Sequence, residues 1–271
     1  MAVWQHRPMK RLLTAALPAL VAAAPAAAQP SLGEIIPNLV GGGIGFQQEY
    51  LGSSRSTFGA APMGRVGLGG ERFAALTGPF IETNLLDSRF VQAGPVANIR
   101  LGRSGAQDQR VRALGDLDWG LELGGRVGLT YLNTQGIPFR ARAGVAVVGD
   151  ATGRYGGAQV IPAASLWVPL SPTVFVGAGV AARFGSAGQN NHYFGITPQG
   201  AAASGLPAFR AGSGMTHLTA WPAVVWRITD SWALGGGFAY TRLGDEVANS
   251  PIVQRGSRDN WVGGIGIAYT W

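Results

Sequence analysis

Between Trp119 and Tyr131 the chain alternates with a period of two, and the chemistry of the two faces limits what it can fold into. Trp119, Leu121, Leu123, Gly125, Val127, Leu129 and Tyr131 share one face, and Gly120, Glu122, Gly124, Arg126, Gly128 and Thr130 share the other. Successive strand residues point to opposite sides, so one face is apolar with an aromatic at each end and the other is small and charged. The last segment repeats this, with Trp261, Gly263, Ile265, Ile267, Tyr269 and Trp271 opposite Asn260, Val262, Gly264, Gly266, Ala268 and Thr270. Segments 232–240 and 174–184 follow the same rule. A soluble sandwich buries its large residues and exposes its charges. Here the large residues form a band between aromatic girdles and the charges keep company with glycine, which predicts a transmembrane β-barrel with a narrow, wet lumen.

Composition agrees. With 46% hydrophobic but 13% charged side chains and 43 glycines, the chain is too apolar for disorder, and glycine does not recur at every third position as in collagen. No run of 18 apolar residues follows the N-terminal segment, so no membrane helix is expected. There are no cysteines, hence no disulfide framework and no thiolate ligand or nucleophile. Arg7, Lys10 and Arg11, the apolar stretch Leu12–Ala24 and the Ala26-Ala27-Ala28 run read as a cleaved secretory signal peptide over residues 1–28, leaving 29–271 as one barrel domain. Its removal takes three of 21 Lys+Arg and none of 14 Asp+Glu, so the mature net charge is +4. No basic run points to nucleic acid.

Candidate strands fall near 38–48, 60–69, 72–86, 89–103, 118–131, 137–149, 156–170, 173–185, 214–229, 231–242 and 260–271. Membrane barrels of this kind have even strand numbers, so 72–86, interrupted by Gly78-Pro79, is read as a hairpin of two short strands. That gives an antiparallel up-and-down barrel of about 12 strands, with 10 as the alternative. Connections at 104–117, 150–155, 186–213 and 243–259 are long and alternate with tight turns near 87–88, 132–136, 170–172 and 229–231. In outer-membrane barrels the long ones face outward and the short ones the periplasm.

By alternation Arg65, Glu82, Arg100, Glu122, Arg126, Arg140, Arg142, Arg183 and Arg227 point into the lumen. An open lumen of this kind would favour anions; a closed one would be crossed by ion pairs, and a barrel this narrow is filled largely by side chains. Inward glycines argue the other way, since they leave space. Only His192 and His217 remain after the signal, without a partner motif for general-base chemistry, so no catalytic residues are assigned. Asp116 and Asp118, with Asp245 and Glu246, offer oxygens for a hard cation but at no EF-hand spacing, so neither metal nor cofactor is assigned. Gly41-Gly42-Gly43-Ile44-Gly45 lacks the Lys-Ser/Thr of a phosphate loop and reads as a tightly curved strand.

The loops carry a resemblance. Tyr193-Phe194-Gly195-Ile196-Thr197-Pro198, then Ser204-Gly205-Leu206-Pro207-Ala208-Phe209 and Ala211-Gly212-Ser213-Gly214, resemble the long-loop signature of the MipA/OmpV family of outer-membrane proteins. So do Leu114-Gly115-Asp116-Leu117-Asp118 with Leu121-Glu122-Leu123-Gly124, Gly43-Ile44-Gly45 to Glu49-Tyr50-Leu51-Gly52-Ser53, and Arg242-Leu243-Gly244-Asp245 through Asn249-Ser250-Pro251-Ile252-Val253. The resemblance covers nearly the whole mature chain. It implies an outer-membrane barrel of a Gram-negative bacterium that scaffolds a lytic transglycosylase and a bifunctional penicillin-binding protein during murein growth. Other members of that family are described as porin-like, adhesive or immunogenic, which keeps a small-solute channel as the alternative. The oligomeric state is not legible in the sequence.

Overall fold

A computed structural model describes residues 37–271, so the signal-peptide reading of residues 1–28 lies outside the described residues. Twelve strands form one closed, all-antiparallel barrel in sequence order. They are β1 Leu39–Gln48, β2 Ser56–Gly67, β3 Phe73–Thr77, β4 Phe80–Asn84, β5 Val91–Arg100, β6 Gly120–Asn133, β7 Phe139–Asp150, β8 Ala158–Pro169, β9 Val174–Gly185, β10 Gly214–Arg227, β11 Trp232–Leu243 and β12 Asp259–Thr270. The first and last strands close the barrel in register from Leu39 opposite Thr270 to Phe46 opposite Gly263. Closure satisfies every strand edge that pairs, which is what makes strands tolerable in lipid.

The 72–86 hairpin forms as expected: β3 and β4 pair around Gly78, whose φ of 56° suits a glycine at the turn. The count is therefore 12 and not 10. β2 begins four residues earlier than the sequence suggests, because β1 holds Ser56–Gly59 in register against Phe46–Gln48 and Gly45.

The apolar face points outward. Leu129 is 62% exposed while its neighbours Gly128 and Thr130 are buried. At one end of the barrel the outer girdle includes Phe238, Tyr240 and Trp261, with ring centroids 4.8 Å apart for Tyr240 and Trp261. At the other end Trp232 meets Tyr269 edge-on, 5.3 Å apart, and Tyr269 stacks with Trp271. Trp261 and Tyr269 are eight residues apart on β12, roughly 27 Å along a strand before tilt, which suits an apolar band about 25 Å tall.

Between the strands of the second end lie the short turns 68–72, 85–90, 134–138, 170–173 and 228–231. The opposite end carries 49–55, 101–119, 151–157, 186–213 and 244–258. These long connections are not open loops. They contain α1 Gln109–Arg112, α2 Ala187–Phe194, α3 Pro198–Ser204, α4 Asp245–Ala248 and α5 Pro251–Gln254. Capping chemistry starts them: Asp108, Ser186, Thr197 and Ser250 accept from first-turn amides of α1, α2, α3 and α5, and Pro198 and Pro251 fill first-turn positions where no N–H is required. Gly205, at φ 67°, stops α3.

Candidate functional site

Two features occupy the barrel: a folded cap over one mouth and layers of charge across the lumen. The cap has two apolar clusters. Ala106, Val111, Ile196, Leu206 and Ile252 form the first, with Tyr50 and Leu114 packed against it; Phe194, Ala211, Leu243, Val247 and Val253 form the second, with Leu51 and Tyr193. Four separate connections thus share a core. Polar clasps fix their register: Ser250 Oγ donates to the Phe194 carbonyl at 2.6 Å, and Asn190 and Asn191 donate to the carbonyls of Gly212 and Ala211 at 2.8 and 2.6 Å. Gly52 N–H donates to Asn260 Oδ1 at 2.8 Å, tying the first connection to β12.

Below the cap, Glu122 is 1% exposed and fully satisfied. It accepts from Asn98 Nδ2 at 2.7 Å, Tyr155 Oη at 2.7 Å and Gln159 Nε2 at 2.6 Å, and Arg100 Nη1 lies 3.7 Å away. Arg100 also stacks over the Tyr193 ring at 4.3 Å, and Arg100 and Arg183 both donate to Gln159 Oε1. A second layer forms around Glu82, with Arg126 at 3.4 Å and Arg142 at 3.2 Å, and Gln92 accepting from Arg142. Arg65 stacks on Phe73 at 4.8 Å. Arg65, Arg126, Arg140 and Arg142 surround a cavity of about 420 Å³ that extends up to Arg183.

Eight of the nine lumen residues read from the sequence therefore come together in these two layers. Arg227 does not: it sits at the short-turn rim, where it donates to the Pro172 carbonyl at 3.2 Å. Six guanidinium groups against two carboxylates leave an excess of four positive charges inside. Indole rings take up part of the space left by inward glycines. A methyl on Gly177 or Gly179 would strike the Trp167 or Trp221 indole, and both rings line the lumen cavity.

The loop-motif residues are structural parts of the cap. Phe194 and Leu206 are buried in its cores, Gly195 ends α2, Pro198, Gly205, Ser250 and Pro251 bound helices, and Pro207 is exposed beside the core residue Leu206. Burial pushes the Tyr193 phenol up to about 12, and burial with the nearby Arg100 charge holds His192 below the ordinary imidazole range. The His192 ring lies against Tyr155 at 5.0 Å and meets Tyr193 edge-on at 4.7 Å. The loop acids are not gathered around a common point: Asp116 accepts from Gly105 N–H, Asp118 pairs with Arg154 at 2.8 Å and Asp245 with Arg258 at 2.6 Å.

A family model described as MltA-interacting protein MipA matches residues 40–271. The outer membrane protein OmpV of Vibrio cholerae is 36% identical over 92 residues, 34% of each chain, and the MltA-interacting protein of Escherichia coli is 29% identical over 93 residues, 34% of this chain and 36% of that one. These alignments span about a third of the relatives' length. Among solved structures, an outer membrane channel from Pseudomonas putida F1 aligns over 90% of this chain and 97% of its own at 9% identity and a TM-score of 0.40. The outer membrane channel DcaP of Acinetobacter baumannii aligns over 87% and 96% at 12% identity and 0.37. A closed twelve-stranded barrel with aromatic girdles, matched along nearly all of its described length, makes this chain an outer-membrane β-barrel that belongs to the MipA family.

Proposed function

We propose that this barrel is an envelope scaffold, and that its partners are a lytic transglycosylase and a bifunctional penicillin-binding protein. The observation that carries this reading is the crowded interior: a folded cap lies above and two ion-paired layers cross the lumen below, which favours work done at the surfaces over conduction. The name of the Escherichia coli relative, MltA-interacting protein, supports a murein hydrolase as partner. The partners meet the periplasmic rim, whose turns are short but expose Leu68, Leu85, Ile137 and Leu170. The family and fold are those of a non-enzymatic barrel, and we assign no catalytic residue. Residues 1–28 serve as the export leader, so N-terminal sequencing of the envelope protein should begin at Gln29.

Crosslinking in intact envelopes, followed by pull-down against an unrelated barrel of similar abundance, tests the scaffold. Enrichment of a transglycosylase or penicillin-binding protein, lost in Leu68→Asp and Ile137→Asp, is the expected result; recovery of assembly machinery alone contradicts it. The lumen cavity favours a second reading, a channel for small anions, in which neutralising Arg126 and Arg140 would change ion selectivity.

A further inference from the structure

Two strands stop short of the outer girdle. β3 and β4 have five residues each, so β2 pairs with β3 only from Met63 to Gly67 and β5 with β4 only from Val96 to Asn98. At their joining turn, Gly78 N–H donates to the Pro62 carbonyl and Ile99 N–H to the Pro79 carbonyl, each at 2.9 Å. Above that turn Ser56–Ala61 is paired with β1 and, among the described residues, has no strand on its other side. Pairing direction alternates along a strand, so Phe58 and Ala60 turn their main-chain groups the same way as Pro62, into the gap. Pro62 has no N–H to leave bare, the usual reason for proline on an unpaired edge. Overhead, Arg55 donates to Gln107 Oε1 at 3.2 Å and Gln107 N–H to Glu49 Oε1 at 2.9 Å, which joins the first long connection to the second.

The wall therefore contains a window with the Gly78-Pro79 turn as its sill. Its height, from Pro62 to Phe58, is roughly 13 Å along the strand, and the two missing strands separate the flanking backbones by roughly 14 Å. Phe58, 83% exposed, marks the upper girdle, so the window opens at the depth of the outer leaflet's acyl chains.

Behind it lies a second cavity, of about 320 Å³, that reaches Pro79 and Ile99 at the window and Arg103, Arg183, Tyr193 and His217 inside. Arg103 Nε, Tyr193 Oη and His217 Nδ1 are buried there without a hydrogen-bond partner, although Arg103 and His217 are each at least nine-tenths buried. Buried polar atoms left unpaired are costly, and three around one cavity point to an occupant that pairs them. Glu49 Oε2, at the cavity margin, is a similarly orphaned acceptor that suits a hydroxyl or a protonated phosphate oxygen.

We propose that the window admits an amphiphile from the outer leaflet, its acyl chain lying in the window and its phosphate or carboxylate headgroup meeting Arg103, the Tyr193 hydroxyl and the His217 ring. This does not rest on the scaffold reading, because the path is lateral and stops beneath the cap. The purified barrel should bind dodecyl phosphate saturably, one per chain, at least about tenfold more tightly than dodecanol, as charge-assisted hydrogen bonds require. Excess inorganic phosphate should not displace it. Arg103→Gln should erase the preference over dodecanol, and Pro79→Trp on the sill should slow association. Mobility of the unheated protein on a gel reports folding, and Ile99→Trp replaces Pro79→Trp if that variant fails to fold. Equal binding of dodecanol and dodecyl phosphate, displacement by inorganic phosphate, or unaltered binding in both folded variants would overturn the proposal and leave a cavity filled with water alone.

Discussion

Glu122 and Glu82 order the lumen, because Glu122 gathers the Asn98 and Gln159 amides, the Tyr155 hydroxyl and Arg100, and Glu82 gathers Arg126 and Arg142, from several strands. Removing a buried partner leaves the others uncompensated, so Glu122→Ala should cost about 3–5 kcal/mol in a urea unfolding titration. Glu122→Gln, which keeps the shape and loses the charge, should cost about 1–3 kcal/mol. Gly124, two residues on, has no room for any side chain: a methyl there would collide with the Val147 carbonyl across the β6–β7 pair. Gly124→Val should therefore abolish the heat-sensitive gel mobility of the folded barrel. These inward positions were legible because alternation assigns a face to each residue. Alternation does not say how far a long side chain reaches, which is why Arg227 was grouped with residues it never meets.

At the scale of elements, the cap is held by helix starts. Ser250 both accepts from Ile252 N–H at α5 and donates to the Phe194 carbonyl, so Ser250→Ala loses a cap and leaves a buried carbonyl unpaired, together about 2–3 kcal/mol. Limited proteolysis of 186–213 should quicken while the strands stay protected. Asp108 starts α1 and accepts from Arg255 Nη2 at 2.7 Å beyond α5, and those bonds hold its carboxyl below the usual range. A depressed carboxyl pKa stabilises above the unfolded value near 4 and loses that contribution as pH falls through the folded value. Amide exchange in 101–119 should accordingly rise below about pH 4, and Asp108→Asn should show the faster exchange already at neutral pH. The ten long strands were legible from a period sustained over ten or more residues, and the short β3–β4 pair from its Gly-Pro break; helices of four to eight residues are too short to show a period. Their signals were punctuation, Thr197-Pro198, Gly205 and Ser250-Pro251, which stood in the sequence as loop motifs without a structural meaning attached.

At the scale of the whole molecule, the proposed scaffold role requires a barrel that is closed to bulk flow. The strand number followed from parity and from one Gly-Pro break, and the segregation of long connections to one end and short turns to the other followed from their alternation in length. What lay beyond the sequence was the joining of four distant connections into shared cores, since such contacts depend on where barrel closure brings the loops. Planar-bilayer recording of the purified protein tests the central claim most directly. The account predicts no stable conductance for the wild type and measurable, anion-selective openings once the cap is loosened and Glu82 is replaced by alanine, which frees Arg126 and Arg142. A stable, open wild-type pore unaffected by either change would contradict it.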